Sequence, residues 1–239
     1  MEYNLFEIML KGNLKGLQIE LNREQIEKFY SYMNLLLEWN EKINLTAITN
    51  PEEVITKHFV DSLTINKYIV KNSRVIDIGT GAGFPGIPLN ILRNDIDLLL
   101  LDSLNKRIIF LDDIIEKLKL EKVKTIHARA EELGQDKKFR EQYDTVVSRA
   151  VAPLNVLLEY MLPYVKVGGK CICMKGPKLE EELEQSKISI DTLGGKVEEI
   201  DETSLPNTDI KRNILVVRKI RIMDSKYPRK MTNIKSNPL

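Results

Sequence analysis

Apolar side chains recur at helical spacing through the first 70 residues of the chain. Asn22 is a suitable N-cap, and the apolar positions that follow it lie at helical intervals: Ile26, Phe29, Tyr30, Met33, Leu36 and Leu37. Asn50, followed by a proline and two acidic residues, predicts the start of another helix that continues through HFVDSLTINKYIV. We therefore expect residues 1–70 to form a helical extension that packs on the remainder of the chain, residues 71–239.

From residue 74 onwards, short apolar runs alternate with amphipathic segments. Seven of these runs predict strands: RVIDI, DIDLLLLD, VKTIHA, YDTVVSRA, GGKCICMKG, KVEEIDE and RNILVVRKI. The alternation predicts an α/β fold with a doubly wound parallel sheet and a ligand at the carboxyl ends of its strands. A helix is expected from about Lys178 to Leu193. The last two strands are joined by a loop, so we expect an antiparallel last strand, as in the Rossmann-like class I methyltransferases.

A glycine-rich turn follows the first predicted strand and allows two interpretations. Gly81, Gly83 and Gly86 form G-x-G-x-x-G, which nicotinamide-dependent oxidoreductases use to bring their backbone close to a pyrophosphate. Asp77, with Gly79 ahead of Gly81 and Gly83, forms D-x-G-x-G-x-G. That pattern suits S-adenosylmethionine, because the carboxylate would help to place the ammonium group and the glycines would leave room for the nucleoside.

Flanking residues favour the methyltransferase interpretation. Phe84 and Pro85 stand where an oxidoreductase would begin a regular helix. Asp102, at the end of the second predicted strand, would bind ribose hydroxyls under either interpretation. Ala130 and Glu131 follow the third strand, at the place where methyltransferases hold the adenine. An acid at a helix N-terminus is an alternative explanation for Glu131.

Composition limits the partners that the chain can have. Its 239 residues are 43% hydrophobic and carry a formal net charge of +1, so a nucleic-acid partner would have to bind a local basic surface. The stretch from Lys211 to Lys230 holds eight lysines and arginines and one acid. It is either a phosphate-binding patch or a solvated edge strand protected by charge. The acidic run KLEEELEQ is expected to be a solvated helix face.

The two cysteines, Cys171 and Cys173, alternate within one predicted strand and are too close in sequence for a useful disulfide. No C-x-x-C or His/Cys cluster occurs, so we expect no metal site and a buried apolar role for both. The N-terminus lacks the features of a signal peptide, and no apolar run approaches the ~20 residues of a membrane span. These observations predict a cytoplasmic protein.

Several segments, taken together and in order, resemble the bacterial RsmG (GidB) family of 16S rRNA guanine-N7 methyltransferases. They are WNEKINLTAI, HFVDSL, DIGTGAGFPGIPL, LLDSLNKRIIFL, RAEEL, YDTVVSRAVAPL, MKG and YPRK, which span nearly the whole chain. The tail departs from the family, which usually has a glycine soon after YPR. The resemblance implies cofactor roles for Gly79, Phe84, Ala130, Glu131 and Arg149, with Asp102 and Ser103 at the ribose edge.

Missing motifs are consistent with methylation at a ring nitrogen. Exocyclic amine methylation typically calls for a D/N-P-P-Y/F turn, whereas this chain has SRAVAP after the fourth strand. Methylation of a pyrimidine C5 needs a cysteine nucleophile on a reachable loop, and both cysteines lie within a strand. Guanine N7 offers a lone pair and no proton, so its methylation requires little beyond positioning.

Four further polar residues are candidates for the site. Arg149 ends the fourth strand at the expected ligand edge, where its guanidinium would contact cofactor, base or phosphate. Lys175 ends the fifth strand and is a candidate for phosphate contact. His58 and Asp61, three residues apart, are interpreted as a structural pair.

The substrate implied by the resemblance is 16S rRNA or a small-subunit assembly intermediate with the target base exposed, modified by a monomer. A nicotinamide oxidoreductase and a non-catalytic RNA-binding module with this fold stay open as alternatives.

Overall fold

A computed structural model describes residues 1–239. Two long helices begin the chain, α1 (Tyr3–Lys15) and α2 (Arg23–Ile43). The Asn22 side chain accepts from the Gln25 backbone N–H and the Gln25 side chain accepts in return, so the predicted cap is a full capping box.

The next helical segment departs from the expected continuous α-helix. It consists of α3 (Pro51–Glu53), a π-helix (Val54–Val60) and α4 (Asp61–Leu63), followed by a 3₁₀ helix (Asn66–Tyr68). Asn50 caps it as predicted. The Asp61 N–H reaches back to the Thr56 carbonyl, and this five-residue step widens the helix. The capping signal predicts where the segment begins, but it carries no information on the π-helical hydrogen bonding that follows.

All seven predicted strands are present: β1 (Arg74–Ile78), β2 (Asp97–Asp102), β3 (Val123–His127), β4 (Tyr143–Arg149), β5 (Val165–Lys175), β6 (Gly195–Ser204) and β7 (Lys211–Lys219). They form one sheet in the order β3-β2-β1-β4-β5-β7-β6. Strands β1 to β5 pair in parallel, and β7 is antiparallel to both β5 and β6. The predicted doubly wound sheet with a reversed last strand is therefore confirmed.

Helices connect the strands, with a short one after β7: α5 (Gly86–Leu92), α6 (Asn105–Lys117), α7 (Ala130–Leu133), α8 (Leu154–Met161), α9 (Leu179–Gln185), α10 (Lys187–Thr192) and α11 (Met231–Ser236). The single helix expected over 178–193 is divided at Ser186, whose backbone leaves helical geometry at φ −105° and ψ 4°. The Ser186 hydroxyl donates to the Glu182 carbonyl, a local bond that competes with the helix.

The sheet is covered on both faces. One apolar cluster joins α1, α2 and the π-helix to α5, α6 and one face of the strands, including Val75, Leu98 and Val216. The other joins α8 and α10 to the opposite face, and its members include Cys171 and Cys173. Both cysteines are fully buried with their sulfurs 3.6 Å apart, which confirms their apolar role. None of the helices is both long and apolar enough to span a membrane.

Candidate functional site

The glycine turn between β1 and α5 is built from residues with positive φ: 67° at Gly79, 62° at Gly81 and 95° at Gly83. A Cβ on Gly83 would lie 2.6 Å from Ile87 Cγ1, and one on Gly79 would lie 2.7 Å from Val151 Cγ2. A Cβ on Gly81, by contrast, would approach nothing closer than the Gly79 carbonyl oxygen at 4.0 Å. The turn therefore needs glycine for both conformation and clearance, as the sequence predicts.

Asp77 lies beneath this turn. Its side chain is fully buried, and Oδ2 accepts from the Thr80 hydroxyl at 2.7 Å and the Gly86 N–H at 2.9 Å. Its other oxygen, Oδ1, has no hydrogen-bond partner. Burial raises the pKa of Asp77 to about 7. The carboxyl group shapes the turn from behind, whereas its contact with a methionine ammonium stays a prediction.

Asp102, at the end of β2, is held in place from three directions. It accepts from the Gly81 N–H and the Leu104 N–H, each at 2.9 Å, and from Arg107 Nη1 at 3.1 Å. The first of these bonds ties the tip of the glycine turn to the neighbouring strand. Asp102 is thus fixed at the position that the sequence predicts for a ribose ligand.

Two adjoining cavities lie at the carboxyl edge of the sheet, with volumes of about 720 and 670 Å³. Both are lined by Gly79, Asp102, Ser103 and Val151, so they meet over the glycine turn. Such a crevice beyond the carboxyl ends of parallel strands is where open α/β sheets bind ligands. We call the larger one the base cavity and the smaller one the adenosine cavity, after the ligands that the sequence leads us to expect there.

The adenosine cavity brings together the residues predicted for the adenine end. Ala130 and Glu131 line it. Glu131 is only 8% exposed, yet its Oε1 has no hydrogen-bond partner within the protein. A buried carboxylate oxygen without a donor is costly unless a ligand supplies one. Residues of the C-terminal segment complete the wall: Met231, Lys235 and Pro238.

Arg149 is the centre of a charged cluster on the wall of the base cavity. Its Nη1 lies 3.1 Å from Asp61 Oδ2, and Arg212 Nε lies 3.0 Å from Asp61 Oδ1. The guanidinium carbon also sits 5.0 Å from the centre of the Phe84 ring. The structure thus brings Arg149 and Phe84 together, as the sequence predicts for site residues, and adds Arg212 from β7.

His58 belongs to the same cluster. Its ring stacks on Phe84 with centroids 4.3 Å apart and an interplanar angle of 13°. Nδ1 lies 3.2 Å from Arg149 Nη2, and Nε2 lies 2.8 Å from Thr46 Oγ1. Burial and the charge of Arg149 lower the pKa of His58 to about 3, so the ring is neutral at physiological pH. His58 and Asp61 therefore both bond Arg149 rather than each other, unlike the structural pair expected from sequence.

Lys175 lines the base cavity, but its charge is already engaged. The ammonium group lies 2.6 Å from Glu182 Oε2 and 3.0 Å from the Ala152 carbonyl. Glu182 also accepts from the Leu154 N–H at 2.7 Å, at the start of α8. The interpretation of KLEEELEQ as a solvated face is therefore wrong for Glu182. Where the sequence predicts a phosphate contact for Lys175, the ammonium group contacts the Glu182 carboxylate.

The basic run from Lys211 to Lys230 is not a continuous cationic surface. Six of its eight cations form ion pairs with carboxylates: Arg212 with Asp61, Arg218 with Glu198, Lys219 with Glu141, Arg221 with Asp191, Lys226 with Asp224 and Arg229 with Glu159. Except for Asp224, the partners lie outside the run, between 20 and 151 positions away in the chain, so the sequence gives little local sign of this neutralisation. Phosphate binding by this run stays a prediction, and the ion pairs reduce the free positive charge available for it.

Comparison with known proteins identifies the family. The model of the GidB family, described as "rRNA small subunit methyltransferase G", matches residues 25–214. The chain belongs to the GidB family. A relative named "Ribosomal RNA small subunit methyltransferase G" in Acetivibrio thermocellus is 52% identical over 239 residues, which are 100% of this chain and 98% of that protein. The protein of the same name in Alkaliphilus metalliredigens is 50% identical, with 98% of each chain covered.

Solved structures share the fold of this GidB-family chain at low sequence identity. M. jannaschii TYW2 in complex with AdoMet aligns at a TM-score of 0.51 and 18% identity, over 66% of this chain and 74% of that one. A SAM dependent methyltransferase from Aquifex aeolicus aligns at 0.53 and 15%, over 76% and 97%. The predicted class I methyltransferase fold and the predicted family are confirmed. Family membership also favours the methyltransferase interpretation of the glycine turn over the oxidoreductase interpretation.

Sequence reasoning assigned no role in the site to Thr46, Val151, Arg212 or the C-terminal helix α11. Thr46 lies within a segment that resembles the GidB family, WNEKINLTAI, and that resemblance was the only available signal for it. Arg212 lies within the basic run but nothing distinguishes it there from its neighbours. Its role follows only from its ion pair with Asp61, 151 positions away in the chain.

Proposed function

We propose that this protein uses S-adenosylmethionine to methylate N7 of one guanosine in the 16S rRNA of the small ribosomal subunit. The adenosine cavity would take the nucleoside of the cofactor, and the base cavity would take the guanine. When bound, S-adenosylmethionine supplies a sulfonium methyl group that a nitrogen lone pair displaces in line. The residues of this chain then have two tasks, which are to hold the two partners and to align them.

The residues at the junction of the two cavities fit the cofactor. The open side of Gly81 leaves room for a nucleoside against the backbone, and Asp102 and Ser103 stand at the ribose position. The orphaned Glu131 Oε1 provides an acceptor for an N–H donor, such as the exocyclic amine of adenine. Ala130, beside it, completes the predicted adenine end.

The assignment to N7 rests on one observation: the acids and the imidazole in the base cavity already have hydrogen-bond or ion-pair partners within the protein. His58 is neutral and uses both ring nitrogens, Asp61 is bound by two arginines, and Asp102 already accepts from three donors. None of them is placed to remove a proton from an amine, and both cysteines are buried away from the cavity. Guanine N7 needs neither a general base nor a nucleophile, so catalysis by proximity and orientation is sufficient.

The charge of the base cavity suits an RNA substrate. Guanidinium groups from Arg107, Arg149 and Arg212 face the carboxylates of Asp61 and Asp102, which leaves an excess of positive charge to attract phosphates. The cavity accepts an exposed base rather than one inside a closed duplex. We therefore propose an assembly intermediate with an exposed guanosine as the substrate, modified in the cytoplasm by a monomer.

Methylation of unmodified RNA tests the proposal. The purified protein is incubated with methyl-labelled S-adenosylmethionine and either naked small-subunit RNA or small-subunit particles from cells that lack the protein. Label is mapped by borohydride reduction and aniline cleavage, which cut at N7-methylguanosine. We expect one labelled guanosine, and label on an exocyclic amine or a ribose would contradict the N7 assignment.

Two glycine variants, one within the turn and one control outside it, accompany that experiment. Gly79→Arg should lose binding of S-adenosylhomocysteine, because the new side chain meets Val151 at the floor of both cavities. Gly12→Arg should leave binding unchanged, because a side chain at Gly12 meets nothing within 4 Å. Tight RNA binding by the wild type without affinity for the cofactor would instead indicate a non-catalytic RNA-binding module.

A further inference from the structure

Thr46 lies on the wall of the base cavity, in the connection between α2 and α3. Its hydroxyl oxygen makes two hydrogen bonds within the protein. The Ile48 N–H donates to Oγ1 at 3.0 Å, and His58 Nε2 lies 2.8 Å from the same oxygen. Which partner donates in the second bond decides what the hydroxyl can offer a ligand.

Arg149 settles the direction of that bond. A guanidinium only donates, so its contact of 3.2 Å with His58 Nδ1 requires an unprotonated Nδ1. A neutral imidazole with an unprotonated Nδ1 carries its hydrogen on Nε2. His58 Nε2–H therefore donates to Thr46 Oγ1. The low pKa of His58 agrees, because a protonated ring would have no acceptor for Arg149.

The hydroxyl of Thr46 is consequently a donor that has no acceptor. A hydroxyl oxygen accepts two hydrogen bonds, and the Ile48 N–H and His58 Nε2–H occupy both positions. Its own hydrogen has no partner among the hydrogen bonds of the protein. Thr46 can therefore donate to a ligand in the base cavity, but it has no lone pair left to accept a bond from one.

We propose that Thr46 selects guanine by donating its hydroxyl hydrogen to the O6 oxygen of the target base. This inference rests on the proposed methylation at N7. Guanine presents N7 and O6 side by side as acceptors, whereas adenine presents N7 beside an amino group that donates. The O6 oxygen of guanine accepts the Thr46 hydroxyl hydrogen, whereas the amino group of adenine would place a second donor against it. Arg149 thus fixes the tautomer of His58, and His58 in turn leaves Thr46 as a hydrogen-bond donor that prefers a keto oxygen.

The test compares enzyme variants on two RNAs that differ at the mapped target nucleotide. One carries guanosine, and the other carries 2-aminopurine riboside, which keeps N7 and the 2-amino group and lacks O6. For Thr46→Val we expect kcat/KM on the guanosine RNA to fall about ten-fold, as for one lost neutral hydrogen bond. On the 2-aminopurine RNA the same substitution should change kcat/KM much less, so the preference for guanosine shrinks about ten-fold. Dividing the kcat/KM of each variant by the wild-type kcat/KM on the same RNA cancels the different intrinsic reactivities of the two bases.

Three further variants keep the result interpretable. Thr46→Ser retains the hydroxyl and should retain the wild-type preference. Thr49→Val, three residues away on an exposed part of the same connection, should change neither rate. Thr46→Ala provides the same comparison without the bulk of valine, with folding monitored by thermal unfolding and by affinity for S-adenosylhomocysteine.

The possible outcomes separate this inference from the proposed function. An equal loss on both RNAs in Thr46→Val and Thr46→Ala would show that Thr46 acts only by holding His58, and would overturn the inference. A wild-type enzyme that labels no N7 position would overturn the proposed function instead. Loss of preference in both variants, with retention in Thr46→Ser, is the expected result.

Discussion

Three acidic side chains in and around the site are already held by hydrogen bonds or ion pairs within the protein. Asp61 is bound by two arginines, Asp102 by two backbone N–H groups and an arginine, and Asp77 by the turn above it. A site that aligns a lone pair with a methyl group benefits from rigid walls more than from reactive groups. At the residue scale, the important property is therefore which hydrogen-bonding atoms remain without a partner, as at Asp77 Oδ1, Glu131 Oε1 and the Thr46 hydroxyl hydrogen.

The pKa of Asp77 has a measurable consequence for stability. Its folded-state pKa of about 7 exceeds the ordinary value of 3.8, so between these values the folded state binds more protons than the unfolded state. The free energy of unfolding of the wild type, relative to Asp77→Asn, should therefore fall as pH rises from about 4 to about 7. Urea unfolding of both proteins across this range measures the difference. A difference independent of pH would show that Asp77 is ionised throughout.

Gly79 should not tolerate even the smallest side chain. In Gly79→Ala the backbone keeps a φ of 67° that alanine disfavours, and the added Cβ presses on Val151. We expect a loss of about 1–2 kcal/mol in stability from the backbone alone, together with weaker binding of S-adenosylhomocysteine by calorimetry. Gly12→Ala is the matched control, because it lies in α1 with free space around it and should be neutral or stabilising. Equal binding by Gly79→Ala and the wild type would contradict the role of this turn.

At the scale of elements, the segment after β7 is attached to helix α8 by a buried ion pair. Glu159 on α8 is almost fully buried and lies 2.6 Å from Arg229, immediately before α11. The Arg229 N–H and Nε also donate to Glu159 Oε1. This attachment holds α11 where Met231 and Lys235 close the adenosine cavity. The chain after β7 is therefore part of the site.

Breaking this pair from one side should be costly. Arg229→Met leaves a buried carboxylate without its cation, and we expect a loss of about 3–5 kcal/mol in the free energy of unfolding. Arg218→Met is the control, because its partner Glu198 is solvent-accessible and such pairs contribute about 0–1 kcal/mol. Urea unfolding measures both. A loss of similar size in the two variants would mean that Glu159 is solvated in spite of its burial.

At the scale of the whole molecule, the N-terminal helices supply one wall of the main apolar core. Phe6, Phe29 and Tyr32 are fully buried in the same cluster as residues of the sheet. The π-helix also contributes His58 to the base cavity, so the extension takes part in both stability and the site. The division at residue 70 thus separates two segments of sequence that share a core.

A chain that starts at residue 71 should accordingly fail to fold. Without the helices, one face of the sheet is exposed, and large apolar surfaces cause aggregation or loss of fixed packing. We expect such a fragment to be insoluble, or to bind hydrophobic dyes and lose near-ultraviolet circular dichroism. Adding the 1–70 segment as a separate chain should restore packing. A fragment that unfolds cooperatively by itself would show that the sheet is an independent domain.

Local patterns in the sequence determined the strands, the helix starts at Asn22 and Asn50, the glycine turn and the doubly wound sheet with a reversed last strand. These features depend on side-chain periodicity, capping and backbone freedom, all of which act over a few neighbouring residues. Tertiary structure alone decided the charge partners, as for Lys175 with Glu182 and Arg212 with Asp61, and it decided the π-helical geometry around His58. Ion pairs and hydrogen-bond directions depend on groups that folding brings together from distant positions. The sequence therefore identified the glycine turn and the family, whereas the donor that Thr46 offers became visible only once Arg149, His58 and Thr46 stood in one network.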